Sequence, residues 1–119
     1  MKILNAKMLR IYLKETDKYK GMPLYRYILK ILKENGIAGA TILRGFCGYG
    51  IRGISEIEVL RLSMDLPVIV ECIEYEEKLL KILPMLVEII GENGLISIMD
   101  TNIVKKKEED EDNDIMDKE

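Results

Sequence analysis

The chain has 119 residues, the length of one domain, enough to bury a core but too short for two. Hydrophobic residues make up 48% and charged residues 33%, a globular composition that excludes disordered and membrane-spanning classes. The formal charge of −3 belongs to the C-terminus. Four lysines and eight acidic residues lie between Lys105 and Glu119, leaving 14 basic and 13 acidic residues before them. A near-neutral body argues against nucleic-acid binding, which leans on a basic face.

The absence of histidine excludes His-based triads, His–metal sites and histidine pH switches. Cys47 and Cys72 are too few for a disulfide framework or a structural zinc site, and the expectation for both is a small buried hydrophobe. No apolar run approaches the roughly 20 residues needed to cross a bilayer. Met1-Lys2-Ile3-Leu4-Asn5 has no signal-peptide core, so the expected location is the cytoplasm.

Taken in order, Lys7 to Leu13 reads as a first strand, with apolar residues close to period two. Glu15 to Gly21 is a polar connection, and Pro23 suits the first position of a helix. Leu24, Ile28, Ile31 and Leu32 at helical spacing, opposite Arg26, Lys30, Lys33 and Glu34, predict an amphipathic helix ended by Asn35-Gly36. Ala40-Thr41-Ile42-Leu43 is the second strand. It runs into Gly45, Gly48, Gly50 and Gly53, a density of glycine that no packed element interior favours.

Glu56 to Leu62 alternates charged and apolar residues as a third strand, broken before Pro67, and Val68 to Ile73 resumes as a mostly apolar strand. Glu76 to Ile90 is the second helix, with Leu79, Leu83, Leu86 and Ile90 on its core face and Pro84 expected to kink or shorten it. Gly91-Glu92-Asn93-Gly94 is a tight loop and Leu95 to Met99, running toward Val104, a last strand. The β-α-β-β-α-β order is that of ferredoxin-like α+β folds: an antiparallel sheet with two helices on one face. Residues 1–104 form that single domain, and residues 105–119 a charged tail expected to be disordered.

Gly48-Tyr49-Gly50 with Arg52 and Gly53 is the best candidate for a small anion or nucleotide contact. Consecutive glycines can expose backbone N–H groups as an anion nest, and Arg44 and Arg52 supply charge. A plain hairpin tip is the competing reading. Asp17 to Lys20 could line a polar pocket or simply be solvated surface. Glu56, Glu58 and Glu71 have no partner of recognised role and read as an outward polar strand face. No nucleophile–base pair or metal set can be assembled, so an enzyme is not expected.

Asn35-Gly36-Ile37-Ala38-Gly39-Ala40-Thr41, Gly45-Phe46-x-Gly48, Asp65-Leu66-Pro67 and Gly91-Glu92-Asn93-Gly94-Leu95 occur in the order seen in PII-type signalling proteins. Three longer motifs resemble a PII-like family, domain of unknown function 190. They are Asp17-Lys18-Tyr19-Lys20-Gly21-x-Pro23-Leu24-Tyr25, Gly39-Ala40-Thr41-x-Leu43-Arg44-Gly45 and Leu60-Arg61-Leu62-Ser63-x-Asp65-Leu66-Pro67. The resemblance implies a regulatory homotrimer that binds an effector, an adenine nucleotide or other anion, in clefts between subunits. It would signal to a target protein, a membrane transporter among the candidates, through the short T-loop after strand two. Site residues implied are Gly45, Phe46 and Gly48 at the loop base and Gly91 and Gly94 in the glycine loop, beside Arg44, Tyr49, Gly50 and Arg52 from the nest reading. Leu95 stands where PII proteins carry a phosphate-binding lysine. The alternative is a trimeric adaptor that binds a partner and no ligand. Val59, Leu62, Ile69 and Ile73 offer more apolar strand surface than two helices cover, which argues for closure between subunits.

Overall fold

Strand β1 (Lys2–Lys14) sits at the centre of the structure, a computed structural model that describes residues 1–50, 53–56 and 65–106. Its alternation sends Leu9, Ile11 and Leu13 into the core and Met8, Arg10 and Tyr12 to the other face. After it come β2 (Lys18–Tyr19), β3 (Met22–Pro23), α1 (Leu24–Glu34), β4 (Thr41–Arg44), β5 (Cys47–Gly50) and β6 (Gly53–Glu56). The chain continues with β7 (Pro67–Glu74), α2 (Glu76–Ile90) and β8 (Leu95–Lys105).

The main sheet has the order β4-β7-β1-β8 with every pair antiparallel. Each β-α-β crossover therefore skips one strand: β7 fills the gap between β1 and β4, and β1 the gap between β7 and β8. This is the ferredoxin-like arrangement the element order predicts. One core forms under the helices, from Leu9, Ile11 and Leu13 with Val68, Val70 and Cys72, against Leu24, Ile28, Ile31, Leu32, Leu79, Ile82 and Leu86.

Both helices follow their periodicity. The four apolar residues read on α1 are its buried ones, and Asn35 closes the helix before Gly36 turns at φ +79°. Pro23 lies one residue outside the helix, as its last non-helical neighbour. α2 runs unbroken through Pro84, contrary to the expected early end. Proline there frees only the Leu80 carbonyl, and Leu80 is on the exposed side, where water can satisfy it. Of the expected third strand, Glu56 to Leu62, only Glu56 is described, as the last residue of β6; the rest of it and the C-terminal tail beyond Lys106 lie outside the described residues.

β1 and β8 are longer than the sequence pattern suggested. Lys2 to Ala6 pairs with Thr101 to Lys105 beyond the reach of β7, making a two-stranded arm that exposes Ile3 and Val104. The polar connection after β1 holds a further small hairpin, β2–β3, turned by Lys20 at φ +49° and Gly21 at φ +81°.

The face of the sheet away from the helices is organised in cross-strand rows. Ile73, Met8 and Met99 are in register, as are Leu43, Ile69, Tyr12 and Leu95. Between these apolar rows lies a polar one, Thr41, Glu71, Arg10 and Ser97, in which the Arg10 guanidinium donates from Nε and Nη2 to Glu71 Oε1 at 2.9 Å.

At the other end of β7 the Glu74 carboxylate is fully buried. It accepts the backbone N–H groups of Tyr75 (3.0 Å) and Ala38 (3.2 Å), with Lys78 Nζ 3.8 Å away. Lys78 also donates to the Gly36 carbonyl at 3.2 Å. One carboxylate thus ties the α1–β4 loop to the start of α2. Replacing it by Ala deprives two part-buried donors of their acceptor, so Glu74→Ala should lower stability by about 1–3 kcal/mol in chemical denaturation. A change within about 0.5 kcal/mol, the range of ordinary surface substitutions, would contradict that role.

Candidate functional site

The sequence motifs singled out for function converge at the C-terminal end of β1. Lys14 donates its N–H to Asp17 Oδ2 (2.9 Å), and the Glu15 N–H donates to the Leu66 carbonyl (2.8 Å). The Thr16 hydroxyl donates to Asp65 Oδ1 (2.7 Å), and Lys14 Nζ lies 3.7 Å from Asp65 Oδ2. The segment before β7 is thereby stitched to the turn after β1. From the next strand, Arg44 Nη2 reaches Glu15 Oε1 at 2.9 Å, and the Gly45 N–H donates to the Pro67 carbonyl at 2.7 Å. Arg44 remains half exposed, and among the described residues its Nη2 donates to Glu15.

From this base springs the β5–β6 hairpin, paired from Cys47–Glu56 to Gly50–Gly53. It stands directly after β4, where the resemblance places a short loop after strand two. Phe46 is 77% exposed and Tyr49 85%, each presenting an aromatic ring to solvent. Arg52 lies outside the described residues, as do Val59 and Leu62. Cys47 is exposed, against the expectation of a buried hydrophobe, because β5 pairs with β6 outside the main sheet and its core. Cys72 does behave as expected: burial pushes its thiol up to about 12, with Glu74 and Glu71 adding to the effect, so it stays protonated and inert.

The glycines of the candidate site divide by cause. A Cβ on Gly45 would stand 2.6 Å from Pro67 Cγ, and one on Gly94 2.6 Å from Leu13 Cδ2 and 2.7 Å from the Tyr12 carbonyl oxygen. Close packing therefore excludes a side chain at both. Gly91 holds φ +56° as the cap of α2, its N–H on the Val87 carbonyl at 2.9 Å. Gly48 would make only ordinary contacts and Gly50 none. Folding accounts for Gly45, Gly91 and Gly94; only Gly48 and Gly50 have no structural demand among these five.

The Gly94 contact with Tyr12 and Leu13 also brings the glycine loop to the same end of the sheet as Arg44 and Gly45. The Thr16–Asp65 and Glu15–Leu66 links went unread in the sequence, because nothing local announces a partner about fifty residues away. A cleft of about 800 Å³ lies at the opposite end, lined by Ala6, Lys7, Tyr75, Glu76, Asp100 and their neighbours. There Lys7 bonds Asp100 and sits 3.2 Å from Glu76, and the Lys7 ammonium holds the Asp100 carboxyl below its usual range. No group of His, Cys, Asp and Glu that could hold a metal occurs among the described residues, and none of their helices is long and apolar enough to cross a membrane.

Comparison with known proteins shows the family and the fold. The sequence profile of the DUF190 family, described as an uncharacterized ACR, matches residues 6–103. A UPF0166 protein of Methanocaldococcus jannaschii is 50% identical over 103 residues, covering 87% of this chain and 95% of its own length. A UPF0166 protein of Aquifex aeolicus is 39% identical over 106 residues, covering 87% and 98%. Among solved structures, CPII from Thiomonas intermedia K12, a nitrogen regulatory PII-like protein bound to ADP, AMP and bicarbonate, superposes with a TM-score of 0.69 at 21% identity. The match covers 87% of this chain and 92% of CPII. The apo form of CPII gives 0.63 at 17% identity, over 88% and 98%. The fold is PII-like.

Two outcomes test the site's construction. Gly94→Ala should cost about 1–3 kcal/mol of stability, since neither Leu13 nor the Tyr12 backbone can yield freely, while Gly50→Ala should stay within about 0.5 kcal/mol. Thiol titration of the native protein should modify Cys47 alone, with Cys72 reacting only after denaturation. Equal native reactivity would mean that the burial of Cys72 is misassigned.

Proposed function

The chain belongs to the DUF190 family, and from that premise we propose that it is a PII-like regulatory protein rather than an enzyme. Three copies close through the open sheet face. A small anionic effector, an adenine nucleotide or bicarbonate, binds in the inter-subunit cleft beside the hairpin base, and its occupancy alters how the hairpin engages a target protein. The observation that carries this reading is the convergence of Arg44, Gly45, the Asp65–Pro67 segment and the glycine loop at one end of β1, next to a hairpin whose Gly48 and Gly50 folding does not require. The apolar rows on the open face support closure between copies.

Arg44 supplies charge, and the N–H groups around Gly48 and Gly50 supply the nest. Because the Arg44–Glu15 pair is half exposed, its loss costs the fold about 0–1 kcal/mol. A charge-assisted contact to a ligand is worth more, about 1.5–3 kcal/mol.

A ligand-free adaptor is the second reading, favoured by the exposed Phe46 and Tyr49 and by Leu95 where PII proteins carry lysine. Thermal shift with ADP, AMP, ATP and bicarbonate separates the two. A true effector at roughly 100 times its Kd adds about 2.7 kcal/mol. At about 4–8 °C per kcal/mol this is a shift of roughly 10 °C or more. Arg44→Ala should weaken that effector about tenfold or more while leaving the unliganded melting point nearly unchanged. No shift with any of the four compounds would favour the adaptor.

A further inference from the structure

The two helices lie on the same side of the sheet and turn different surfaces to solvent. α1 buries Leu24, Ile28, Ile31 and Leu32 and exposes Arg26, Lys30 and Lys33, spaced i, i+4, i+7 along its outer pole. α2 buries Leu79, Ile82, Leu86, Ile89 and Ile90, then places Leu80, Pro84 and Val87 at the same spacing on its own outer pole. Leu80 is 53% exposed and Val87 58%. A helix that is apolar on both sides ordinarily has a neighbour on both.

The charges beside that ridge indicate the neighbour. Glu76 flanks it on one side and Glu77, Lys81 and Glu88 on the other, all exposed. α2 thus carries three exposed acids against one exposed lysine, whereas α1 carries three exposed cations against one exposed acid, Glu34. An anionic lipid surface would meet the glutamates unfavourably. Stacking α2 on α2 sets acid against acid, and α1 on α1 cation against cation. Only α2 against α1 pairs both.

We propose that this helical layer docks face to face on the helical layer of a second copy of the chain, α2 of each against α1 of the other. A two-fold contact uses one patch twice and so requires a self-complementary patch, which this layer is. The aliphatic stems of Arg26, Lys30 and Lys33 cover Leu80, Pro84 and Val87, while their charged heads reach Glu77 and Glu88 at the margin. The contact uses neither the open sheet face nor the hairpin, so it stands independently of the regulatory reading.

Sedimentation equilibrium of the full chain tests it. The expected assembly holds an even number of chains: two if the sheet face stays open, six if that face also closes a trimer. Leu80→Glu should halve the mass with helical circular dichroism unchanged, since the residue lies outside the core. Lys30→Glu should halve it too, and combining that change with Glu77→Lys should restore it. Raised salt should weaken the assembly. An odd number of chains at every concentration overturns the proposal, including the case in which the ridge serves a different protein. So does an even number that Leu80→Glu leaves unchanged.

Discussion

The rest of the structure depends on the pairing of β1 along both of its edges. From Lys7 to Lys14 this strand has β7 on one side, and from Lys2 to Tyr12 it has β8 on the other. Strict alternation then lets one strand serve two surfaces, with Leu9, Ile11 and Leu13 sealing the helical core and Met8, Arg10 and Tyr12 lining the open face. A slip of one residue would exchange the two sets. Its end is equally constrained: Tyr12 and Leu13 receive the glycine loop, and Lys14 to Thr16 hold the segment before β7 and, through Glu15, Arg44. The candidate site is therefore a set of loops indexed to one rigid strand end, the arrangement that positions functional loops well.

How far the fold is legible in the sequence depends on whether the signal is periodic. α1 and α2 are readable because their buried residues repeat with helical spacing, and α2 matches Glu76 to Ile90 at both ends. The first half of β1 is not readable, because Ile3-Leu4-Asn5-Ala6 does not alternate apolar and polar residues, although Leu4 and Ala6 turn to the more buried side and Ile3 and Asn5 to solvent. Glu74 illustrates the other limit. A buried carboxylate satisfied by backbone N–H groups of Ala38 and Tyr75 leaves no mark on local composition, since its partners are defined only once the fold exists. Cysteine is usually buried, but Cys47 lies on a hairpin strand outside the main sheet and its core, and is exposed.

Glycine carries a related lesson about inferring sites. Glycine is dense around the hairpin and before β8, at Gly45, Gly48, Gly50, Gly91 and Gly94, but the causes are separate. Pro67 presses on Gly45, β1 presses on Gly94, and Gly91 caps a helix. A packing requirement and a ligand requirement can select the same residue, so those three say little about a ligand by themselves. Gly48 and Gly50 are more informative because packing and backbone conformation ask nothing of them there. The candidate site consequently rests most on Arg44 and the first strand of the hairpin, with the glycine loop at the same end of the sheet.

The open face bears on how subunits would meet. Its two apolar rows flank Arg10 and Glu71, and burying a charged pair normally costs more in desolvation than the attraction returns. Here the pair is already made within one chain, with two guanidinium nitrogens on one carboxylate oxygen at 2.9 Å, so closing the face would strand neither charge. Hydrogen bonding to Tyr12 and to Glu71 pushes the Arg10 pKa above its ordinary value. An apolar residue at either position would make a stickier face. The existing pair makes the face less apolar, and a partner there would have to leave that row undisturbed. The polar row thus sets the register of any closure across this face, while Met8, Tyr12, Ile69 and Leu43 supply its driving force.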